Sequence, residues 1–372
     1  MERIIVIGAG ILGASTAYHL AKKGADVTVI DRRDKGQATD AAAGIVCPWL
    51  SQRRNKAWYS LAKGGAAFYP SLISSLEKEG ETDTGYARVG AISVRPEHKT
   101  LVEIEKVALK RRVDAPEIGD IQVLGPAEAQ KLFPPLSEGY GAVYASGAAR
   151  VNGRKLRDAL LRAAERHGAR IIFGDAAFML NDDRLDGVKT EEDLFRADTY
   201  IVTAGAWAKE LLRTLGIEFR VKDLKAQIIH MKLLHEKTDE WPVIIPPGNQ
   251  YIVPFENGRI VAGATYENFT HFDVRVTAGG MHEILHKALD IAPGLADSTI
   301  LETRVGFRPY TPGSLPVIGP LPGYGNVLVG NGLGATGLTA GPLLGSVLAK
   351  IALGQQPGVD LELYHIAGAI QQ

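Results

Sequence analysis

Hydrophobic and polar positions along this chain follow two different periods, and both appear at its start. The run RIIVI at Arg3–Ile7 is continuously apolar after its arginine, as a short buried strand is. GAGILG follows, then a stretch in which Leu12, Ala17, Leu20 and Ala21 keep near-helical spacing and Gly24 stands where a C-terminal cap belongs. DVTVID at Asp26–Asp31 reads as a second strand, so the chain opens as a βαβ unit. Small residues from Gly36 to Val46 suit a backbone that must approach a ligand closely, and a helix is predicted over Lys56–Gly80.

The texture then changes. Between Tyr86 and Ala145, short β-like pieces (ARVGAISVR and GAVYAS) flank a charged helix over Lys99–Arg112. A helix at Gly153–Gly168, a strand at Ala169–Phe173, a turn at 181–183 and the strand TYIVTAG at Thr199–Gly205 restore the α/β pattern. From Phe219 to Arg304 the chain is β-rich again, with QIIHMK, QYIVPF and RIVAGATY; Pro254 and the pair Asn257-Gly258 predict antiparallel hairpins. NVLVGNGLGATGLTAGPLLGSVLAKIAL then gives a strand, a second glycine-rich turn and a helix. The expected fold class is α/β (α+β overall). A Rossmann-like dinucleotide domain is assembled from residues 1–85, 146–218 and 305–372, with an antiparallel β substrate domain at 86–145 and 219–304.

Composition narrows the function classes. A chain of 372 residues is long enough for two domains, and 45% hydrophobic with 23% charged residues is ordinary for a globular protein. Lysine plus arginine, 42, equals aspartate plus glutamate, 42, so the basic excess of a nucleic-acid binder is missing. One cysteine, Cys47, supports neither a disulfide framework nor a cysteine zinc site, and the nine histidines show no HxH or HExxH spacing, so no metal is expected. Met1 leads straight into the first strand, and no signal peptide is expected. The most apolar later stretch, Leu338–Leu353, holds Pro342 and Lys350 and is shorter than the roughly 20 residues of a membrane span. A soluble cytoplasmic protein is the expectation, with room for a homo-oligomer and, in a dehydrogenase, for peripheral membrane contact.

The first motif with chemistry is Gly8-x-Gly10-x-x-Gly13. Gly8 permits a tight turn, Gly10 lets backbone approach a pyrophosphate, and Gly13 lets helix pack on sheet, while the helix N-terminus offers unpaired N–H groups to phosphate. Alone the pattern is weak. Here it follows a strand, opens a helix, and has Asp31 at the end of the next strand, where a carboxylate suits a ribose 2′-hydroxyl. That points to FAD or NAD rather than NADP, although Arg32 and Arg33 stand close by.

Six segments in order resemble the D-amino acid oxidase family of flavoenzymes, in its glycine oxidase, sarcosine oxidase and D-amino acid dehydrogenase branch. They are GAGILG with Asp31, TDAAAGIV at 39–46, TAGAW at 203–207, YIVP at 251–254, VGFRP at 305–309 and GNGLGATGLTAGP at 330–342. The resemblance covers essentially the whole chain and implies FAD. It places Gly8, Gly10, Ile11, Leu12, Gly13, Asp31 and Arg32 at the dinucleotide, and Thr39, Ala42, Ala43, Gly44, Ile45 and Val46 along the ribityl chain and flavin. It adds Ala204, Gly205, Trp207 and Gly306, and it aims Gly334, Thr336, Gly337, Leu338 and Thr339, a helix N-terminus, at the flavin edge that becomes anionic on reduction.

For substrate, the resemblance implies that Arg308 clamps an amino acid's carboxylate bidentately and that Tyr251 lines the same pocket. Arg304 is the nearest alternative to Arg308. Glycine oxidases, by this resemblance, carry a second arginine in the last glycine-rich region; here Ala335 or a neighbour stands there, so the clamp rests on one arginine alone or draws on Arg53 or Arg54. No cysteine lies in GFRPYTPGS and no histidine between His19 and His98, so the flavin is expected to be non-covalent, and Cys47 reads as an inert thiol. The implied reaction is oxidation of a Cα–N bond in a small amino acid (D-amino acid, glycine or N-methylglycine type) by hydride transfer to flavin N5. The resulting imine hydrolyses, and the electrons pass to dioxygen or to a quinone-type carrier. An NAD-dependent oxidoreductase and a flavin-bearing subunit of a heteromeric amine dehydrogenase are the alternatives.

Overall fold

The computed structural model describes residues 1–181, 184–268 and 271–371. The expected turn at 181–183 falls mostly at residues 182 and 183, outside the described residues.

The apolar runs become two large sheets. The first has six strands in the order Val317–Leu321, Tyr324–Asn331, Thr199–Val202, Arg3–Ile7, Asp26–Asp31 and Arg170–Phe173. All neighbours are parallel except the first pair. Strands distant in sequence are thus adjacent: Val6 faces Val29 on one side and Ile201 on the other, and Ile201 in turn faces Leu328. Continuous apolar runs form these strands because both faces are covered.

The covering helix of one face is the opening helix, Ile11–Lys22, whose residues 11–18, 20 and 21 are all buried. It is enclosed by the helices Gly153–Arg166 and Gly337–Ala352. The last of these approaches very closely: a Cβ on Gly345 would lie 2.5 Å from that of Ser15, whose hydroxyl donates to the Pro342 carbonyl at 2.7 Å. The apolar stretch near the end is longer than the sequence suggested. With its preceding turn it runs Gly334–Ala352, 19 residues, long and apolar enough to cross a membrane by length and composition, yet it packs between the opening helix and Lys56–Lys78 as a core helix.

The second sheet has eight strands in the order Thr299–Tyr310, Lys222–Lys232, Arg259–Gly263, Tyr251–Pro254, Val243–Ile245, Ala91–Arg95, Gly141–Ala145 and Ile121–Leu124. Asn257 and Gly258, both at positive φ (60° and 76°), make the expected hairpin turn between Tyr251–Pro254 and Arg259–Gly263. The sheet is not purely antiparallel: Val243–Ile245 and Ala91–Arg95 pair in parallel, since they come from separate segments joined by no hairpin. A small three-stranded sheet, Ala177–Asn181, Arg184–Lys189 and Leu194–Phe195, was not anticipated.

Candidate active site

The two large sheets meet across one cleft of about 510 Å³, into which the carboxyl ends of the parallel strands open. At its inner end lies the first glycine turn. Gly8 has φ +103°, and a Cβ on Gly13 would lie 1.8 Å from the Gly8 carbonyl oxygen, so both positions require glycine. Gly10 has only the Thr39 hydroxyl within 4 Å of where its Cβ would be, so its backbone faces the cleft openly. The opening helix has no side-chain cap. The Ile11 N–H donates to the Thr39 hydroxyl at 3.0 Å. Unpaired helix-end N–H groups beside an open backbone are what a pyrophosphate needs.

Asp31 is buried and already engaged. Its Oδ2 accepts from the Ala9 N–H at 2.6 Å, and its Oδ1 from the Arg33 N–H at 2.6 Å and Gln37 Nε2 at 2.9 Å. These bonds fix the carboxylate at the strand end while leaving lone pairs for a ribose hydroxyl. Arg32 also lines the cleft, but three carboxylates hold it: Asp34 at 2.8 Å, Asp175 at 3.2 Å and Glu210 at 3.4 Å. A guanidinium so surrounded has little left for a 2′-phosphate.

Along the middle of the cleft run Thr39, Ala42, Ala43, Gly44, Ile45, Ala204, Gly205, Trp207 and Gly306. Ile45 is tied to the far end of the chain, its carbonyl accepting from the Thr339 hydroxyl at 2.8 Å. Asn331 Nδ2 donates to the Gly205 carbonyl at 2.9 Å, joining two neighbouring strand ends. Beyond them, Gly334, Gly337, Leu338 and Thr339 line the cleft where the apolar helix begins. That helix has no side-chain cap and no acid in its first turn, and nothing lies within 4 Å of a Cβ on Gly337. A partial positive charge therefore faces open space.

Three expected residues do not reach the cleft. Gly13 sits behind Gly8; Val46 is buried and pairs with Ala149; and the Thr336 hydroxyl accepts from Trp58 Nε1 at 2.8 Å instead. Conversely, Gln37, Gly174–Ala177, Thr203, Asn249, Thr265, Tyr266, Tyr310 and Asn331 line it without having been singled out. Most sit in loops that only the fold brings together. Tyr310 had a signal: two residues beyond Arg308 on a strand, it shares that residue's face.

Arg308 and Tyr251 come together at the β-sheet wall. Tyr251 faces Gly263 in the neighbouring strand, and a Cβ on Gly263 would lie 2.9 Å from the Tyr251 hydroxyl. The glycine thus leaves room for the ring to lie over it, with its hydroxyl toward Arg308, which lines the same cleft. Burial pushes the Tyr251 hydroxyl above its usual pKa, and the Arg308 charge pulls part of that back. Among the described residues no carboxylate pairs with Arg308. Arg304 differs: it pairs with Glu302 at 2.6 Å and donates to the Asp40 carbonyl at 3.1 Å, so its guanidinium is committed to structure. Arg53 and Arg54 do not line the cleft. Burial pushes the Cys47 thiol up to about 12, an inert group.

The residues present fit FAD: an anion-binding helix end, a carboxylate at ribose position, an open small-residue channel and a second helix end at its far limit. Residues 3–351 match the family model described as "DAO: FAD dependent oxidoreductase". The chain belongs to this family. It is an FAD-dependent oxidoreductase of the kind acting on CH–NH groups, in the glycine oxidase-like branch, which sets the nicotinamide alternative aside. It is 60% identical over 371 residues to an uncharacterized oxidoreductase, YurR, of Bacillus subtilis, covering 100% of both chains. It is 32% identical to a glycine oxidase of Pseudomonas aeruginosa, covering 99% of this chain and 100% of the other. Among solved structures, iminodiacetate oxidase from Chelativorans sp. BNC1 superposes with a TM-score of 0.94 at 45% identity, over 98% of each chain.

Proposed function

We propose that this DAO-family enzyme oxidises the Cα–N bond of a small amino acid, glycine-like or substituted on nitrogen, with FAD held non-covalently. The observation that carries the proposal is the Arg308 guanidinium, free of carboxylate partners among the described residues, beside the Tyr251 hydroxyl on the cleft wall. In this reading residues 1–85, 146–218 and 305–372 hold the cofactor and residues 86–145 and 219–304 build the substrate wall. The strand Thr299–Tyr310 serves both, since Gly306 and Arg308 lie on it. Similarity to glycine oxidases favours a primary amino acid, and the higher identity to iminodiacetate oxidase favours a secondary one.

Arg308 receives the substrate carboxylate in its planar fork, and the Tyr251 hydroxyl adds a second donor, fixing the orientation of Cα. The substrate side of the cleft (Asn249, Tyr251, Thr265, Tyr266, Arg308 and Tyr310) offers no carboxylate or imidazole. The amine must therefore lose its proton to solvent before reaction, and orientation rather than a strong base does the work. FAD, held along the cleft, would supply a two-electron acceptor for the hydride lost from Cα. Loss of that hydride and the N–H proton leaves an imine, and water added to it yields an oxo acid and ammonia or a primary amine. The helix end at Gly337–Thr339, without a side-chain cap or an acid in its first turn, stabilises negative charge placed beside it.

The test is anaerobic mixing of the yellow holoenzyme with D-, L- and N-substituted amino acids, then admission of air. Amino acids should bleach the flavin band while the matching amines without a carboxylate should not. Bleaching by the amines alone, or by neither, overturns the reading. Return of colour in air identifies dioxygen as acceptor; its failure to return points to a quinone-type carrier.

A further inference from the structure

One cation near this site has no role in the reaction above. Arg53 is half-buried, with its guanidinium carbon 5.0 Å from the centroid of the Trp58 ring and one Nη donating to the Ser314 carbonyl at 2.8 Å. Among the described residues no carboxylate pairs with it, and the Tyr310 side chain lies near it. Arg32, Arg150, Arg157, Arg162 and Arg304, by contrast, all pair with acids. Burial without a counter-ion pushes the Arg53 pKa down, a cost that a bound anion would offset.

Its location is defined through Tyr310. Arg308 and Tyr310 are two residues apart on an extended strand, so both face the cleft about 6.5 Å apart along it. The Tyr310 ring lies across Gly334, where a Cβ would come within 2.6 Å of it. Tyr310 thus neighbours Arg308 along the strand and Arg53 through the loop before Asn55. Trp58, the platform under Arg53, is in turn anchored by its Nε1–H to Thr336, immediately before Gly337 at the cleft. Arg53 is held at the rim by the same elements that shape the inner wall.

Charge is also segregated along the cleft. Its acidic lining residues, Asp31, Asp34, Asp175 and Glu210, lie at the dinucleotide end, where Arg32 pairs with the last three. The substrate end has Arg308 and, among the described residues, no acid lines the wall there; Arg53 stands outside that lining, over Trp58 and against the Ser314 carbonyl that follows Tyr310. A substrate with one carboxylate would leave this field half-used.

We infer that Arg53 is a specificity-determining residue that receives a second carboxylate of the substrate, so that the enzyme prefers an amino acid bearing a further carboxylate on its nitrogen substituent or side chain. This rests on the reading of Arg308 as the clamp for the first carboxylate. Arg308 anchors the reacting end, and Arg53 the remote end, across Tyr310.

Sarcosine and iminodiacetate test it, because both carry an N–CH2–carboxylate unit and they differ by one carboxylate. In wild-type holoenzyme and in R53Q, kcat/KM is measured for both; thiodiacetate and methylthioacetate, which lack the amine, are titrated against the oxidised flavin spectrum. The iminodiacetate-to-sarcosine ratio of kcat/KM should fall at least tenfold in R53Q, chiefly through KM, and the thiodiacetate-to-methylthioacetate affinity ratio should fall alike. R53K, which keeps the charge, should recover most of both ratios. Ratios within twofold of wild type in R53Q overturn the proposal and leave Arg53 a support for Trp58. If wild type oxidises neither amine but its thiodiacetate binding depends on Arg53, the anion anchor stands and the reaction proposed above falls.

Discussion

Arg304 and Arg308 share a strand and a face, and their neighbours give them opposite roles. Glu302 and the Asp40 carbonyl absorb Arg304, whereas Arg308 meets a tyrosine hydroxyl and open cleft. Removing a charge-assisted bidentate contact costs about 1.5–3 kcal/mol, so Arg308→Ala should raise KM for an amino-acid substrate about 10- to 100-fold in steady-state kinetics. Tyr251→Phe removes a single donor and should cost about tenfold or less. Arg304→Ala should instead lower the thermal midpoint, since it leaves Glu302 to Arg259 alone and the Asp40 carbonyl without its donor. The expectation of Arg308 over Arg304 came from the order of segments, because GFRP carries the resemblance; in the structure Arg308 is among the lining residues and Arg304 is not. The reach of Tyr251 was not, since it depends on Gly263 in a neighbouring strand being without a side chain. Likewise Gln37 could not be read as a partner of Asp31, because that bond needs the turn after the strand to fold back on it.

At the level of elements, the opening helix shows how burial governs pH response. Burial, reinforced by Lys22, Lys23 and Lys350, lowers the His19 imidazole from its ordinary 6.5 to about 4. A base depressed in the folded state stays neutral there while the unfolded chain takes up a proton, so stability falls as pH drops from 6.5 toward 4. The loss reaches on the order of 3 kcal/mol for this group. His230, lowered to about 3 by burial and then by Arg304 and Arg259, adds a loss of the same sign. Urea unfolding at pH 6.5 and 4.5 should show the decline, and His19→Gln should remove the His19 share of the slope while keeping that of His230. The helices and the strands flanking them were readable because their periods are local. The parallel pair Val243–Ile245 with Ala91–Arg95 was not, since it joins segments with no hairpin between them. The three-stranded sheet was missed because its short strands carry too little alternation to register.

Taken whole, the molecule closes over its cleft with aromatic contacts drawn from both sheets. Phe272, from the segment following Gly263, stacks on Trp207 at 4.9 Å and meets Phe307 edge-on at 5.2 Å. Trp207 and Phe307 both line the cleft, so the stack braces the wall of the dinucleotide channel. An aromatic pair contributes about 0.5–1.5 kcal/mol beyond its buried area, so Phe272→Ala should weaken FAD binding about three- to tenfold by equilibrium dialysis of the apoprotein.

The six-stranded sheet has one more consequence, in time rather than in space. Its strand Arg3–Ile7 leaves the ribosome well ahead of the neighbours that complete the sheet, which include Thr199–Val202 and Tyr324–Asn331, and the helix that seals the cleft begins only at Gly337. At about 5–20 residues per second, the glycine turn waits some tens of seconds for its far wall. Through that interval the opening helix has no partner for the face that Gly345 later covers. Cofactor loading therefore waits on the helix that begins at Gly337, and a chain interrupted before it would hold a glycine turn without the far wall of its cleft.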